Sequence, residues 1–123
     1  MLIIPDTNFL IYSARFKLFG ELEKTPLMII PEVVYELEIL AKKAGGKGKE
    51  SAAFVLEMVK NVKVKPKKGY ADDVILHKAR FLRGAGEKNF AVATMDKELL
   101  QKLRKEGIKT MGIRQKKLIV SGN

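Results

Sequence analysis

The residues best able to do chemistry in this chain are acids, and several stand at places where strands end or helices begin. Asp6 follows a short apolar run, Leu2-Ile3-Ile4-Pro5, and is followed at once by a hydroxyl and an amide, Thr7 and Asn8. Asp96 comes two residues after Thr94, just past a second apolar run, Phe90-Ala91-Val92-Ala93. Between them lie Glu32, Glu36 and Glu38 in one amphipathic stretch and the doublet Asp72-Asp73 at the head of another. Carboxylates crowded together repel, so some take up protons unless a cation neutralises them. Hard divalent ions bind oxygen donors, and where phosphate esters are processed Mg²⁺ is held by few carboxylates together with waters and substrate phosphate. Any one of these acids is explained as a helix cap or a lysine partner. Four of them at strand ends and core edges point instead to a site for Mg²⁺ or Mn²⁺.

The elements that must position these acids follow from the apolar pattern. Residues 2–4 and 90–94 read as continuous strands buried on both faces. In open α/β sheets ligands bind beyond the carboxyl ends of such strands, where Asp6 and Asp96 stand. Pro31 suits the first position of a helix over residues 32–43, because its missing N–H is not needed there. At about 100° per residue, Val33, Leu37, Leu40 and Ala44 form that helix's core stripe, and Glu36 lies roughly 60° from its centre. Glu38 points well away and Glu32 falls between. On a helix over residues 71–83 the stripe Ile75, Ala79, Leu82 puts Asp72 near its edge and turns Asp73 outward, as a reserve.

The remaining pattern predicts a helix after Asn8, capped by Thr7 and Asn8, that breaks near Gly20. It predicts a strand over residues 27–30, a helix over about 50–60 carrying Ala53, Phe54, Leu56 and Val59, and an edge strand over 62–65. Asp96 caps a helix with Leu99, Leu100 and Leu103, and residues 108–113 and 117–120 form one or two final strands. Strands alternating with helices predict an α/β fold with a central parallel sheet and helices on both faces. The glycine-rich loop around Gly45, Gly46 and Gly48 lacks the Walker spacing and is not a phosphate loop of that kind.

A chain of 123 residues fits one domain, expected to span residues 1–123. Lys and Arg number 24 against 14 Asp and Glu, a net charge of +10 that favours a polyanionic partner over a neutral metabolite. With no cysteine there is neither a disulfide frame nor a thiolate zinc site, and a reducing, cytoplasmic setting is expected. No apolar run approaches the length of a membrane span. Lys42, Lys43, Lys47 and Lys49 around the glycine loop, with Lys63, Lys65, Lys67 and Lys68 further on, are expected to contact phosphates. His77 is expected to be solvated, and Tyr12, Phe16, Phe54, Phe81 and Phe90 to lie in the core. Tyr35 and Tyr70 flank the acidic helices, within reach of a substrate.

Four motifs in order, Ile3-Ile4-Pro5-Asp6-Thr7-Asn8, Pro31 to Leu40 with Glu36, Ala71-Asp72-Asp73-Val74-Ile75 with Ala79, and Val92-Ala93-Thr94-Met95-Asp96, resemble the PIN-domain nuclease family, named after the N-terminal domain of PilT. By that resemblance Asp6, Glu36, Asp72 and Asp96 are similar to the family's metal-binding catalytic acids, and Asn8 and Thr94 match its supporting polar positions. Pro5 stands where a β-branched residue is common, and Leu99 or Leu100 where many toxin members carry Phe. These departures, the Asp72-Asp73 doublet and the basic residues 113–117 are similar to the archaeal branch that holds rRNA-processing PIN proteins beside VapC-type toxins. The resemblance implies a PIN-like three-layer fold and a metal-dependent endoribonuclease that hydrolyses RNA phosphodiesters, in rRNA processing or as a toxin-type RNase. It implies Mg²⁺ or Mn²⁺, RNA, and either an antitoxin or a ribosome-assembly protein as partners, and it allows a homodimer. Two other functions compete: a non-catalytic RNA-binding PIN module, and a phosphotransfer domain with Asp6 as nucleophile. The D-x-D pattern that the second requires is broken by Asn8.

Overall fold

The computed structural model describes residues 1–43, 46–59 and 64–122. In chain order the elements are β1 (Leu2–Pro5), α1 (Thr7–Arg15), α2 (Phe19–Leu22), α3 (Pro31–Lys42), α4 (Lys47–Val59), α5 (Ala71–Gly84), β2 (Phe90–Ala93), α6 (Lys97–Lys105), β3 (Thr110–Arg114) and β4 (Lys117–Ser121). Among the described residues they form one sheet of order β1-β2-β3-β4. Successive strand residues face opposite sides of a sheet. Ile3 to Pro5 and all four residues of β2 are buried, so both faces of the sheet are covered there. The core gathers Ile3, Ile4, Phe9, Leu10, Val33, Leu37, Val55, Ile75, Val92 and Leu103.

The sheet is mixed rather than wholly parallel. β1 runs parallel to β2, from Leu2 opposite Phe90 to Pro5 opposite Ala93, and β2 runs parallel to β3. β4 is antiparallel to β3. Gln115 and Lys116 alone join the last two strands, both at positive φ (51° and 58°), as a tight hairpin of the right twist requires. A parallel return would need a crossover of a dozen or more residues. Neither residue is glycine or asparagine, so the hairpin carried none of the usual sequence signal.

Further expectations are corrected. Residues 27–30 make a single parallel bridge, Ile3 to Leu27, and no strand; flanking Pro26 and Pro31 have no N–H with which to extend the ladder. Of the anticipated edge strand, Val62 and Lys63 lie outside the described residues, and Val64 and Lys65 belong to no strand. The first helix ends after Arg15, where Lys17 adopts a left-handed φ of 59°, whereas Gly20 sits inside the short α2. α4 begins at Lys47 and buries Ala52, Val55 and Val59, leaving Ala53 and Phe54 exposed. Apolar residues lie on two sides of that helix, and packing against α3 and α1 selects the stripe that goes inside. Phe16, Phe54 and Phe81 likewise reach the surface and Tyr12 is half-buried, while Phe90 is in the core.

Candidate acidic site

The register of the sheet begins the site. Pro5 lies opposite Ala93, so the next residue along each strand, Asp6 and Thr94, emerges beside the other at the carboxyl ends. Asp6 N–H donates to the Ala93 carbonyl (2.9 Å), continuing the ladder by one bond. Asp6 itself caps α1, its Oδ1 accepting from Phe9 N–H at 2.7 Å, a role expected of Thr7 and Asn8. Its Oδ2 accepts a short hydrogen bond from the Thr94 hydroxyl. Thr94 Oγ1 also accepts from Asp96 N–H (3.1 Å), and Asp96 caps α6 through Leu99 N–H (2.9 Å). One buried threonine thus ties the ends of β1 and β2 to the start of α6.

Glu36 arrives from α3. Thr7 Oγ1 donates to its Oε1 (2.5 Å) and Ala71 N–H to its Oε2 (3.3 Å), the latter serving the unpaired N–H groups at the start of α5. Asp72, in the first turn of α5, completes the ring. Asp6, Thr7, Asn8, Glu36, Tyr70, Ala71, Asp72 and Asp96 line one cleft of about 180 Å³. A hollow of about 160 Å³ adjoins it, sharing Asp72 and Asp96 and adding Asp73, Glu98 and Lys102. A larger hollow of about 520 Å³ between Arg83, Lys88, Phe90 and Ile108 holds a single carboxylate, Glu87, so chemistry rather than size selects the acidic cleft.

The electrostatics record burial first and crowding second. Asp6 is raised from 3.8 to about 6, first by burial, against which the Thr94 and Phe9 bonds act, and further by the charges of Asp72 and Asp96. Asp72 is also raised, first by loss of water around its carboxyl and then by Asp96, Glu36 and Asp73; Lys102 opposes this.

Glu32 is buried under Gly69, where an added Cβ would lie 3.0 Å from Glu32 Cγ, and neither Glu32 nor Glu38 lines the cleft. Lys42, Lys43, Lys49, Lys65, Lys67 and Lys68 are exposed and outside it; Lys63 and the Lys47 side chain lie outside the described residues. His77 is exposed. Thr7 and Lys102 were missed from sequence. Thr7 reads as a cap, because its partner is 29 residues away, and Lys102 reads as one half of an i,i+4 pair with Glu98 (3.7 Å).

The family described as PIN-like domain matches residues 3–116. The chain belongs to the PIN-like domain family. It is 40% identical over 125 aligned positions to Ribonuclease VapC4 of Methanocaldococcus jannaschii, covering 94% of this chain and 92% of the relative. The structure of the PIN domain endonuclease Utp24 superposes with a TM-score of 0.70 at 30% identity, covering 99% of this chain and 92% of that one. Membership in the PIN family implies a divalent cation, and the donors suit one: the cleft's acids are all carboxylates, hard oxygen ligands without a soft sulfur or imidazole among them. Among the described residues no three Asp, Glu, His or Cys side chains are grouped closely enough to hold an ion by themselves.

Proposed function

We propose that this PIN domain, spanning residues 1–123, is a metal-dependent endoribonuclease that hydrolyses RNA phosphodiesters. Asp6, Glu36, Asp72 and Asp96 serve as the metal-holding acids, with Asp73 in reserve and Asn8 and Thr94 in support. One observation carries the reading: carboxylates from four separated segments line a single cleft on a chain of net charge +10. The names of its relatives, a ribonuclease and an endonuclease, support it.

Mg²⁺ or Mn²⁺ bound by these acids supplies an activated water and charge to offset the attacked phosphodiester. The chain's own residues arrange the rest. An ionised carboxylate has about four acceptor positions. Asp6 and Glu36 each spend two on internal donors and Asp96 spends one, so each is fixed in place with acceptors to spare. Asn8 is exposed at the cleft, and its amide can donate to a phosphate oxygen or accept from a water there. Lys42, Lys43, Lys47, Lys49, Lys65, Lys67 and Lys68 hold the RNA backbone. The setting is cytoplasmic, and no helix among the described residues is long and apolar enough to cross a membrane.

The test is cleavage of single-stranded and structured RNA, with and without Mn²⁺, by the parent and by Asp6→Asn. Cleavage that needs Mn²⁺ and disappears in Asp6→Asn, with binding retained, supports the reading. Cleavage at the parental rate in Asp6→Asn defeats it. Binding without any cleavage by the parent establishes the non-catalytic module instead. A toxin-type enzyme and an rRNA-processing enzyme then separate by substrate and by whether an antitoxin or a ribosome-assembly protein co-purifies.

A further inference from the structure

Four aromatic side chains are exposed, Phe16, Phe54, Tyr70 and Phe81, and three of them are partnered. Phe16 stacks on Tyr12, with centroids 6.1 Å apart and planes within 10°. Phe54 meets Phe19 edge-on at 5.8 Å, and the Lys78 ammonium sits 5.7 Å from the centre of the Phe81 ring. Tyr70 is the most exposed of the four, at 82%, and among the described residues its ring has neither an aromatic nor a cationic partner. It is also the one that lines the acidic cleft.

The backbone beneath this ring is held firmly. Tyr70 occupies the N-cap position of α5 without a side-chain cap, and its carbonyl accepts from Val74 N–H at 3.3 Å. The next residue, Ala71, donates to Glu36. On the other side Gly69 lies against buried Glu32, closely enough that an added Cβ would press on its Cγ at 3.0 Å, and Lys67 N–H donates to the Pro31 carbonyl at 3.2 Å. The ring therefore projects from an anchored segment with only two side-chain torsions left to order. A cleft of about 180 Å³ that takes up a phosphate, an ion and waters leaves the attached base toward its rim, where Tyr70 stands.

We propose that Tyr70 is a base-stacking platform that positions the nucleotide beside the phosphate held in the cleft. A nucleobase within a duplex is covered on both faces by its neighbours, whereas one in a single strand or loop has a free face for an aromatic ring. Stacking of this kind tolerates any base, because every base has a π face. Exposed Lys67 and Lys68, immediately before the platform, are placed to take flanking phosphates. The inference rests on the ribonuclease reading of the cleft and adds the residue that orients the nucleotide there.

The experiment compares the parent, Tyr70→Phe, Tyr70→Leu and Tyr70→Ala on a short single-stranded RNA with 2-aminopurine walked along it. Binding and quenching are measured in the Asp6→Asn background so that the RNA stays intact, and cleavage is measured in the native background. Stacking on tyrosine quenches the 2-aminopurine at one position; Tyr70→Phe keeps that quench, and Tyr70→Leu and Tyr70→Ala lose it. The two aliphatic variants bind and cleave single-stranded RNA about 5- to 150-fold less well, and unpaired RNA is preferred over a duplex only while the ring is present. Melting temperatures should match across the set, since the ring supports no packing. Equal binding and quenching in Tyr70→Ala and parent, with Mn²⁺-dependent cleavage intact, overturns the platform and leaves the ribonuclease. A parent that neither binds nor cleaves RNA overturns both.

Discussion

Thr94 donates its hydroxyl hydrogen to Asp6 across 88 residues of sequence, while the same oxygen accepts from the backbone of Asp96. Both acids are thereby referred to one rigid, fully buried side chain. In Thr94→Val the methyl that replaces the hydroxyl keeps the shape and removes the donor. Leaving a buried acceptor unsatisfied costs about 1–3 kcal/mol, which chemical denaturation should read as lost stability. Because the Thr94 bond is one of the interactions that hold the Asp6 pKa down, the variant should titrate Asp6 above its present value of about 6. The acid limb of the pH–rate profile should move upward in parallel, whereas Thr94→Ser should restore most of both.

Asp6 also dictates a pH dependence of stability whose sign is opposite to the usual one for a paired carboxylate. Its pKa is higher folded (about 6) than unfolded (3.8), so between those values the folded state binds more protons. Stability from this group is greatest below about 4 and is lost as pH rises through 6, by about 3 kcal/mol at most. The raised Asp72 adds in the same direction. In chelator, the stability difference between parent and Asp6→Asn should move against the parent from pH 4.5 to pH 7.5. A difference that does not change across that range would show that Asp6 is not held in the way described.

Divalent metal should reverse this loss. A ligand that binds only the folded state at 100 times its Kd adds about 2.7 kcal/mol. Thermal melts at pH 7.5 should therefore rise with Mn²⁺ or Mg²⁺ in the parent, and the rise should shrink in Asp6→Asn and Asp96→Asn. Equal rises in all three proteins would place the ion elsewhere.

Thr7 is predicted to matter through Glu36. Removing its hydroxyl in Thr7→Val frees one Glu36 oxygen from the donor that aims it. Losing such a supporting partner typically weakens metal affinity or activity 10- to 100-fold. Mn²⁺ titration should show weaker binding in Thr7→Val and recovery in Thr7→Ser, while Glu38→Gln, outside the cleft, should leave the affinity unchanged.

The exposed lysines should act through charge alone. Each phosphate contact released by Lys67→Gln or Lys68→Gln should flatten the plot of log affinity for RNA against log salt by about one unit or somewhat less. Base composition of the RNA should have little influence on that slope. An unaltered slope would remove these lysines from the RNA path.

Much of this protein was determined locally. The apolar runs before Asp6 and Asp96 mark the buried strands and hence the end of the sheet at which both acids emerge. Helical periodicity separated Glu36, which lines the cleft, from Glu38, which does not, since a difference of two residues turns a side chain by about 200°. Charge and composition by themselves point to a polyanion. Only the tertiary structure decided which stripe of α4 is buried, that β4 runs antiparallel, and that Phe16, Phe54 and Phe81 face outward. It alone joined Thr7 to Glu36 and Thr94 to Asp6, and left the Tyr70 ring bare beside the acids. The physical reason is range. Propensity and periodicity speak for a few neighbouring residues, whereas a hydrogen bond across 29 or 88 positions exists only once strand register and helix packing have brought the two ends together.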